Sequence, residues 1–411
     1  MHRVLLEQTY FAALEATHPK KLVTQYLPNI APSLILAIGK AALPMLEAAR
    51  ERFPNTRFLA VPPNTDNQIL EYGEIVSGTH PVPSIKSVAA AERALEFVRN
   101  LNATDHVLVL ISGGGSALFC APWGVTLEQK QDITTALLKS GADIRALNTV
   151  RQALSRVKGG RFAAATKAKI QSLILSDVVG DDISLIASGP TAPNKSGFSE
   201  ALKILEHYNI EAPEAIAHLQ AGVKGKLPQP PQLEAARVQN KVIGSNFHLL
   251  QAAKAHLERQ GYRAMILSDS FTGEARELAR FHAAIIKSIV QHSSPAAAPL
   301  VLISGGEAPV TVHGNGMGGR NQEFLLWLLH ELGDFGIEAL AAGSDGIDGN
   351  SSAAGAFLSL DSAARAKQKN LPVQKFLENN DSGRFFAKLG NQFVTGATGH
   401  NLNDIRLIWI R

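Results

Sequence analysis

Five glycine-bearing segments carry the side chains of this sequence that could do chemistry, and four of them follow a short apolar run. The first is Ala37-Ile-Gly-Lys40. Gly39 permits a tight turn, and Lys40 would stand at a helix start, where backbone N–H groups already favour anions. A lysine there does nothing for the helix, so it is either an ordinary solvated side chain or a cation kept for a ligand. The second is Ile111-Ser-Gly-Gly-Gly-Ser116, after the most apolar run of the chain. Gly113, Gly114 and Gly115 let a backbone approach a ligand closely, and Ser112 and Ser116 add donors. The segment suits a phosphate or carboxylate. It is not a Walker loop, because no Lys-Ser/Thr pair follows at the required spacing.

The third segment runs from Asn148 to Gly160. Arg151, Ser155 and Lys158 recur at helical spacing and are expected to share one face, which would meet either an anion or solvent. The fourth is Ser176-Asp-Val-Val-Gly-Asp-Asp182, followed by Ala187-Ser-Gly-Pro-Thr191. Asp177 directly follows a predicted strand. Its carboxylate suits Mg²⁺, which binds through one or two carboxylates plus phosphate oxygens, or a hydroxyl nucleophile that needs orienting. Ordinary turn chemistry is the plainer alternative. The fifth is His313-Gly-Asn-Gly-Met-Gly-Gly-Arg-Asn-Gln-Glu323, in which Gly314, Gly316 and Gly319 satisfy G-x-G-x-x-G. That spacing reads as a dinucleotide fingerprint. An arginine presented by a glycine loop, Arg320, fits phosphate charge better. Two further stretches, Ala342–Gly349 and Thr395–Asp404, are dense in glycine and short polar residues and suit either a ligand or a turn.

The elements that would position these loops alternate along the chain. Strands are expected at Leu34–Ile38, Arg57–Val61, His106–Ile111, Ser172–Ser176, Lys241–Gly244, Arg263–Ser268, Leu300–Ser304, Val310–His313 and Ile337–Ala342. Helices are expected at Met1–Leu14, Ala41–Arg52, Ile85–Asn100, Leu127–Ser140, Phe247–Gln260, Glu274–Gln291 and Asn321–Leu332. Many of the strands are apolar at consecutive positions, the pattern of a mostly parallel sheet covered by helices on both faces. The fold class is therefore α/β in two domains. Proline-rich Gly222–Asn240 marks the break, giving domains 1–228 and 239–411, with the last strand a candidate to return to the first domain.

Composition narrows the functions. The chain has 411 residues, 45% hydrophobic and 18% charged, enough to bury sizeable cores. A formal charge of +4 with 6% aromatics gives no nucleic-acid footprint. No apolar run approaches the roughly 20 residues that cross a bilayer. The one cysteine, Cys120, permits no disulfide within the chain, and a cytoplasmic location is expected.

Taken together, Ile111–Ala117, Asn148-Thr-Val-Arg151 with Lys158-Gly-Gly160, Ser176-Asp-Val178 with Ser188-Gly-Pro-Thr191, and Gly318-Gly-Arg-Asn-Gln-Glu323 resemble the glycerate 2-kinase family with a MOFRL C-terminal domain. Members of that family are often labelled hydroxypyruvate reductases. The resemblance runs from about Gly39 to Asp404. It implies a larger, Rossmann-like first domain and a smaller α/β MOFRL domain, enclosing a cleft. It further implies ATP and Mg²⁺ as co-substrates and conversion of D-glycerate to 2-phosphoglycerate, with Lys40 and Arg320 as the suspected catalytic cations. The chain departs from the family pattern at Ser344, Ser351, Ser352, Ala397 and His400.

The expected catalytic set is Lys40, Arg320 and Asp177, with Asp177 also the metal ligand. The expected binding set is Ser112, Gly113, Gly114, Gly115, Ser116, Asn148, Arg151, Gly318, Gly319, Asn321 and Asp345. The partners expected are small molecules, with no nucleic acid or membrane; a homodimer is left open. An NAD(P)H-dependent hydroxypyruvate reductase and a non-catalytic binding protein are the rival readings.

Overall fold

The computed structural model describes residues 2–194 and 196–411, so Met1 of the expected N-terminal helix lies outside the described residues. The chain divides into two compact units, one formed by residues 19–243 and one by residues up to His18 together with 244–411.

The unit of residues 19–243 is built on a seven-stranded sheet. Its strands are β1 Leu34–Ile38, β2 Phe58–Val61, β3 Gln68–Leu70, β4 Gly73–Ile75, β5 His106–Ile111, β6 Lys169–Leu175 and β7 Val238–Gly244, in the order β3-β4-β2-β1-β5-β6-β7. From β4 to β6 neighbouring strands are parallel, and β3 runs antiparallel at the edge. Alternate side chains of each strand enter different cores. Leu34, Leu36, Ile38, Val107, Val109 and Ile111 pack with Ala90, Ala94 and Val98 of the helix Ile85–Arg99. Ile35, Ala37, Leu108 and Leu110 pack with Met45 and Ala49 of the helix Ala42–Arg52. Both faces are buried, which is why these strands are apolar without alternation. Four more helices, Leu127–Lys139, Ile144–Ala153, Phe198–His207 and Pro213–Val223, close around a separate apolar cluster that includes Leu137, Val150, Phe198 and Leu219.

The other unit is built on a six-stranded sheet with strands β8 Ala264–Phe271, β9 Leu300–Gly306, β10 Glu338–Gly343, β11 Gly355–Leu358, β12 Gln392–Phe393 and β13 Asp404–Ile410, in the order β12-β11-β10-β13-β9-β8. Only β8 and β9 pair in parallel; the remaining pairs are antiparallel. The last strand therefore lies inside this sheet, between β10 and β9, rather than returning to the first unit. The helices Ala275–His292 and Arg320–Leu332 cover one face. The opposite face is covered by the helix Asn246–Arg259 and by the N-terminal helix His2–Ala16, whose Leu6, Tyr10 and Ala13 are fully buried there. The Tyr10 hydroxyl donates to the Gly343 carbonyl at 2.8 Å. Removing so apolar a helix face from water is what places the first residues of the chain with its second half. His400, one of the departures from the family pattern, braces the same helix with its ring against the Leu14 carbonyl (2.9 Å).

The expected strand Val310–His313 does not form: residues 307–319 are irregular. The N–H groups of Thr311, His313, Gly314, Asn315, Met317 and Gly318 go to side chains instead of a ladder.

Candidate active site

Three neighbouring parallel strands, β1, β5 and β6, end at the same edge of the first sheet, where ligands bind in open α/β sheets. The loops that follow them carry Lys40, Ser112–Ser116 and Asp177. Ser112 is 3% exposed and ties two of these loops together. Its N–H donates to Ile38 O (2.9 Å), and its hydroxyl oxygen accepts the Ala41 N–H (3.0 Å). Gly39 has φ +119° and lies so close to Ser112 that any side chain would collide. Lys40 donates its backbone N–H to Gly113 O (2.9 Å), and its exposed side chain runs past Gly114. Burial, then the neighbouring Lys40 charge, hold the His80 imidazole below its ordinary pKa.

The N–H groups of Gly113, Gly114, Gly115 and Ser116 have no protein acceptor among the described residues. Gly114 sits at φ +81°, which glycine tolerates without cost. Four open donors with a lysine alongside are what an anion requires. Asp177 follows β6 and is half-buried.

The Asn148–Gly160 segment supports this loop from behind. Ser188 donates to Asn148 Oδ1 (2.6 Å) and lies 2.8 Å from the Ser116 hydroxyl. Gln152 donates to Ser184 O (2.9 Å) and Ser188 O (3.3 Å). Ala187 and Ser188 occupy the left-handed region at φ +52° and +60°, a strain that surrounding structure must hold in place. The helix stops at Ala153, so the expected common face of Arg151, Ser155 and Lys158 does not exist. The Ser155 hydroxyl accepts from Val157 N and Lys158 N (3.3 Å each), a local turn that competes with helix. Arg151 is half-buried without a carboxylate partner among the described residues, and burial lowers its pKa, opposed by Cys120.

In the other unit Arg320 opens the helix Arg320–Leu332. Its Nε donates to Asp404, a fully buried carboxylate at the start of β13, at 2.8–3.0 Å; Nη1 pairs with Glu307. Burial opposes the guanidinium charge, but Asp404 and Glu307 outweigh it and raise the pKa. Nη2 has no acceptor among the described residues. Behind Asp404 lies Arg406, also fully buried, which donates to Asp404 (3.2 Å) and Gly305 O (3.2 Å). Asn321 donates its side-chain amide to Asp404 (2.9 Å).

The glycine loop before Arg320 spends its donors internally. His313 and Gly314 donate to the Asn380 side chain, Asn315 to that of Asn379, Gly316 to Asn379 O, Met317 to Asp381 and Gly318 to Asn350. Gly319 has no room for a side chain because Asp348 is packed against it. The Asp348 carboxylate accepts Asn321 N and Gln322 N, each at 2.9 Å. That carboxylate occupies the anion position at the helix start, so the G-x-G-x-x-G spacing of Gly314–Gly319 is not a pyrophosphate site. Burial pushes the Asp348 carboxyl up to about 6, against the backbone donors that favour its charge. Gly318, Gly319, Arg320 and Asp345 line a cavity of about 530 Å³ together with Glu323 and Asn350. Asp345 accepts Ile347 N at 3.1 Å.

The structure thus gathers Lys40, Ser112–Ser116, Asn148, Arg151 and Asp177 in one unit, and Gly318, Gly319, Arg320, Asn321 and Asp345 in the other. Sequence reasoning missed Asp404, Asp348 and the Asn379-Asn-Asp381 run. An acidic residue ending a glycine-rich stretch was the available signal for Asp404. Among the described residues no three His, Cys, Asp or Glu side chains converge as a metal cluster, and no helix is long and apolar enough to cross a membrane.

The family model DUF4147, a domain of unknown function, matches residues 5–220, and the MOFRL family model matches residues 300–404. A D-glycerate 2-kinase from Thermotoga maritima is 40% identical, covering 96% of this chain and 94% of the relative. A protein from Agrobacterium vitis with a provisional hydroxypyruvate reductase name is 38% identical over 99% of this chain and 94% of its own. A crystal structure of glycerate kinase from Thermotoga maritima matches with a TM-score of 0.90 at 39% identity, covering 98% of both chains.

Proposed function

The chain belongs to the family that joins DUF4147 and MOFRL domains, and we propose that, like its kinase relatives, it transfers the γ-phosphoryl group of ATP to the 2-hydroxyl of D-glycerate. The hydroxyl oxygen attacks phosphorus and gives up its proton, the bond to the β–γ bridging oxygen breaks, and 2-phosphoglycerate, ADP and the proton leave. The open N–H groups of Gly113–Ser116 beside Lys40 carry this reading from the geometry.

Phosphoryl transfer depends on positioning and charge neutralisation. Lys40 and Arg320 are assigned the negative charge that develops on the transferred group. The Ser112–Ser116 loop is assigned an anionic group of the substrates, and Arg151 the glycerate carboxylate. Asn148 holds the loop through Ser188. Gly318, Gly319 and Asn321 fix Arg320 at its helix start, and Asp345 lines the adjoining cavity. Asp177 suits Mg²⁺ brought by ATP, since that ion needs only one or two protein carboxylates besides phosphate oxygens and water. Bound there, the ion would neutralise phosphate charge. A cytoplasmic location, where ATP is supplied, accords with this reading.

The reductase alternative rests on the dinucleotide reading of Gly314–Gly319, where Asp348 and the asparagines take the donors a pyrophosphate would need. The test is to incubate the protein with ATP, Mg²⁺ and D-glycerate, follow ADP, and identify the product by ³¹P NMR. Phosphate on the 2-position couples to one proton and gives a doublet; on the 3-position it gives a triplet. NADH with hydroxypyruvate is run in parallel. NADH oxidation without ADP release would reverse the assignment.

A further inference from the structure

Lys158 belongs to a sequence motif that the proposed mechanism leaves unused, and its surroundings are unusual. It is 1% exposed, and its ammonium donates to Ser116 O (2.6 Å) and Phe119 O (3.2 Å). Two more cations face the same interior: Lys130, 5% exposed, which donates to Arg151 O (3.0 Å) and Leu154 O (2.5 Å), and Arg151 itself. The Cys120 thiol is the remaining titratable neighbour. None of the three cations has a carboxylate partner among the described residues. Buried charge without a counter-charge is costly, and carbonyl dipoles offset only part of that cost.

The contact with Ser116 O leads to the open loop. The Ser116 carbonyl shares a peptide unit with Ala117 N–H, which donates to Gly114 O (3.1 Å). The Gly114 carbonyl in turn shares a peptide unit with Gly115 N–H, one of the open donors. A cation on the first carbonyl polarises both units in the same sense and strengthens the last donor.

We propose that Lys158 is a positioning residue for the reaction: through the Ser116 and Gly114 peptides it directs and strengthens the open Gly115 donor of the Gly113–Ser116 loop, and the substrate anion bound there supplies its missing counter-charge. This rests on the reading of that loop as the anion site. One consequence is proton linkage. Burial, with Lys130 and Arg151 adding to it and Cys120 opposing, lowers the Lys158 pKa to about 7. A bound anion favours the ammonium, so above pH 7 binding must recapture a proton. Affinity then weakens by up to about tenfold per pH unit until the pKa of the complex is reached.

The experiment combines steady-state kinetics of Lys158→Met and Lys158→Arg with calorimetry of the wild-type protein at pH 8, titrating ATP and D-glycerate separately in buffers of different ionisation enthalpy. The expected results are uptake of a fraction of a proton with one of the two ligands, a KM for that ligand raised about tenfold or more in Lys158→Met with a smaller change in kcat, and a KM kept low to higher pH in Lys158→Arg. Proton uptake with neither ligand overturns the proposal even if both variants fail to fold. So does a folded Lys158→Met with wild-type KM and pH profile. Wild-type protein that binds with proton uptake but releases no ADP counts instead against the kinase reading.

Discussion

Two glycine-rich loops lie one in each unit, and they use their backbones in opposite ways. Gly113–Ser116 leaves four successive N–H groups without a protein acceptor, with the Lys40 side chain beside them. His313–Gly318 commits six successive N–H groups to Asn350, Asn379, Asn380 and Asp381. We assign the first as a receptor for charge; the second braces the start of the helix that carries Arg320. Glycine content is high in both, so it does not report function. In the brace glycine is required because neighbouring backbone fills the space of a side chain at Gly314, Gly316 and Gly319. In the other loop it allows left-handed backbone at Gly114 and close packing of Gly115 on Ala187.

Substitution separates the two. The largest effect is expected from Lys40→Ala and Arg320→Ala, each lowering kcat roughly a hundredfold or more with the fold intact, as loss of a transition-state contact worth about 3–4 kcal/mol would do. Near-normal turnover in either folded variant removes that residue from the mechanism. Gly316→Ala should act on stability, because its methyl would collide with Asn379 and Asn380; overpacking of this kind costs about 1–3 kcal/mol, read as a lower urea midpoint with unchanged KM. Gly114→Ala should show the converse pattern, a raised KM from a loop strained by about 1–2 kcal/mol. Similar KM values in the two glycine variants would erase the contrast. Asn380→Ala, which strips the acceptor from His313 and Gly314, should cost about 1 kcal/mol and leave KM alone.

The smallest effect is a difference in pH response. Buried Lys130 and Lys158 have pKa values lowered to about 8 and about 7, so the folded first unit binds fewer protons than the unfolded chain, and its stability should rise from pH 7 towards 10. Asp348 and Glu323 are pushed by burial up to about 6 and about 7, so the folded second unit binds more protons, and stability should fall as pH rises from about 4 to 7. Urea midpoints of the full chain, followed by Trp123 for one unit and by Trp327 for the other in single-tryptophan variants, check the two slopes.

Much of this was legible in the residues. β1 and β5 match their expected spans because strands buried on both faces leave an unbroken apolar run. The helices Ala42–Arg52 and Arg320–Leu332 lie within one residue of expectation. What failed did so for identifiable reasons. Val310 and Val312 alternate like a strand, but no neighbouring strand takes their backbone; Glu274 accepts Thr311 N and Asn380 accepts His313 N. β3, β4 and β12 are only two or three residues long and leave no periodic signal. β13 carries a buried arginine, Arg406, where a strand interior is expected to be apolar. The N-terminal helix joins the second unit through contacts across more than 200 residues, which local pattern does not encode. Lys40, Arg320 and the Ser112–Ser116 loop were visible because their types are conspicuous. Asp404 and Asn380 were not, because a single acid or amide announces its partner only in three dimensions.

Hydrogen exchange of the full-length protein, resolved at the peptides containing Gly113–Ser116 and His313–Gly318, tests the contrast most directly. Adding ATP, Mg²⁺ and D-glycerate should slow exchange at Gly113–Ser116, whose amides are open without ligand, and leave the already bonded His313–Gly318 amides unchanged. Slowing confined to His313–Gly318, with Gly113–Ser116 exchanging as fast as before, would contradict the assignment of receptor and brace.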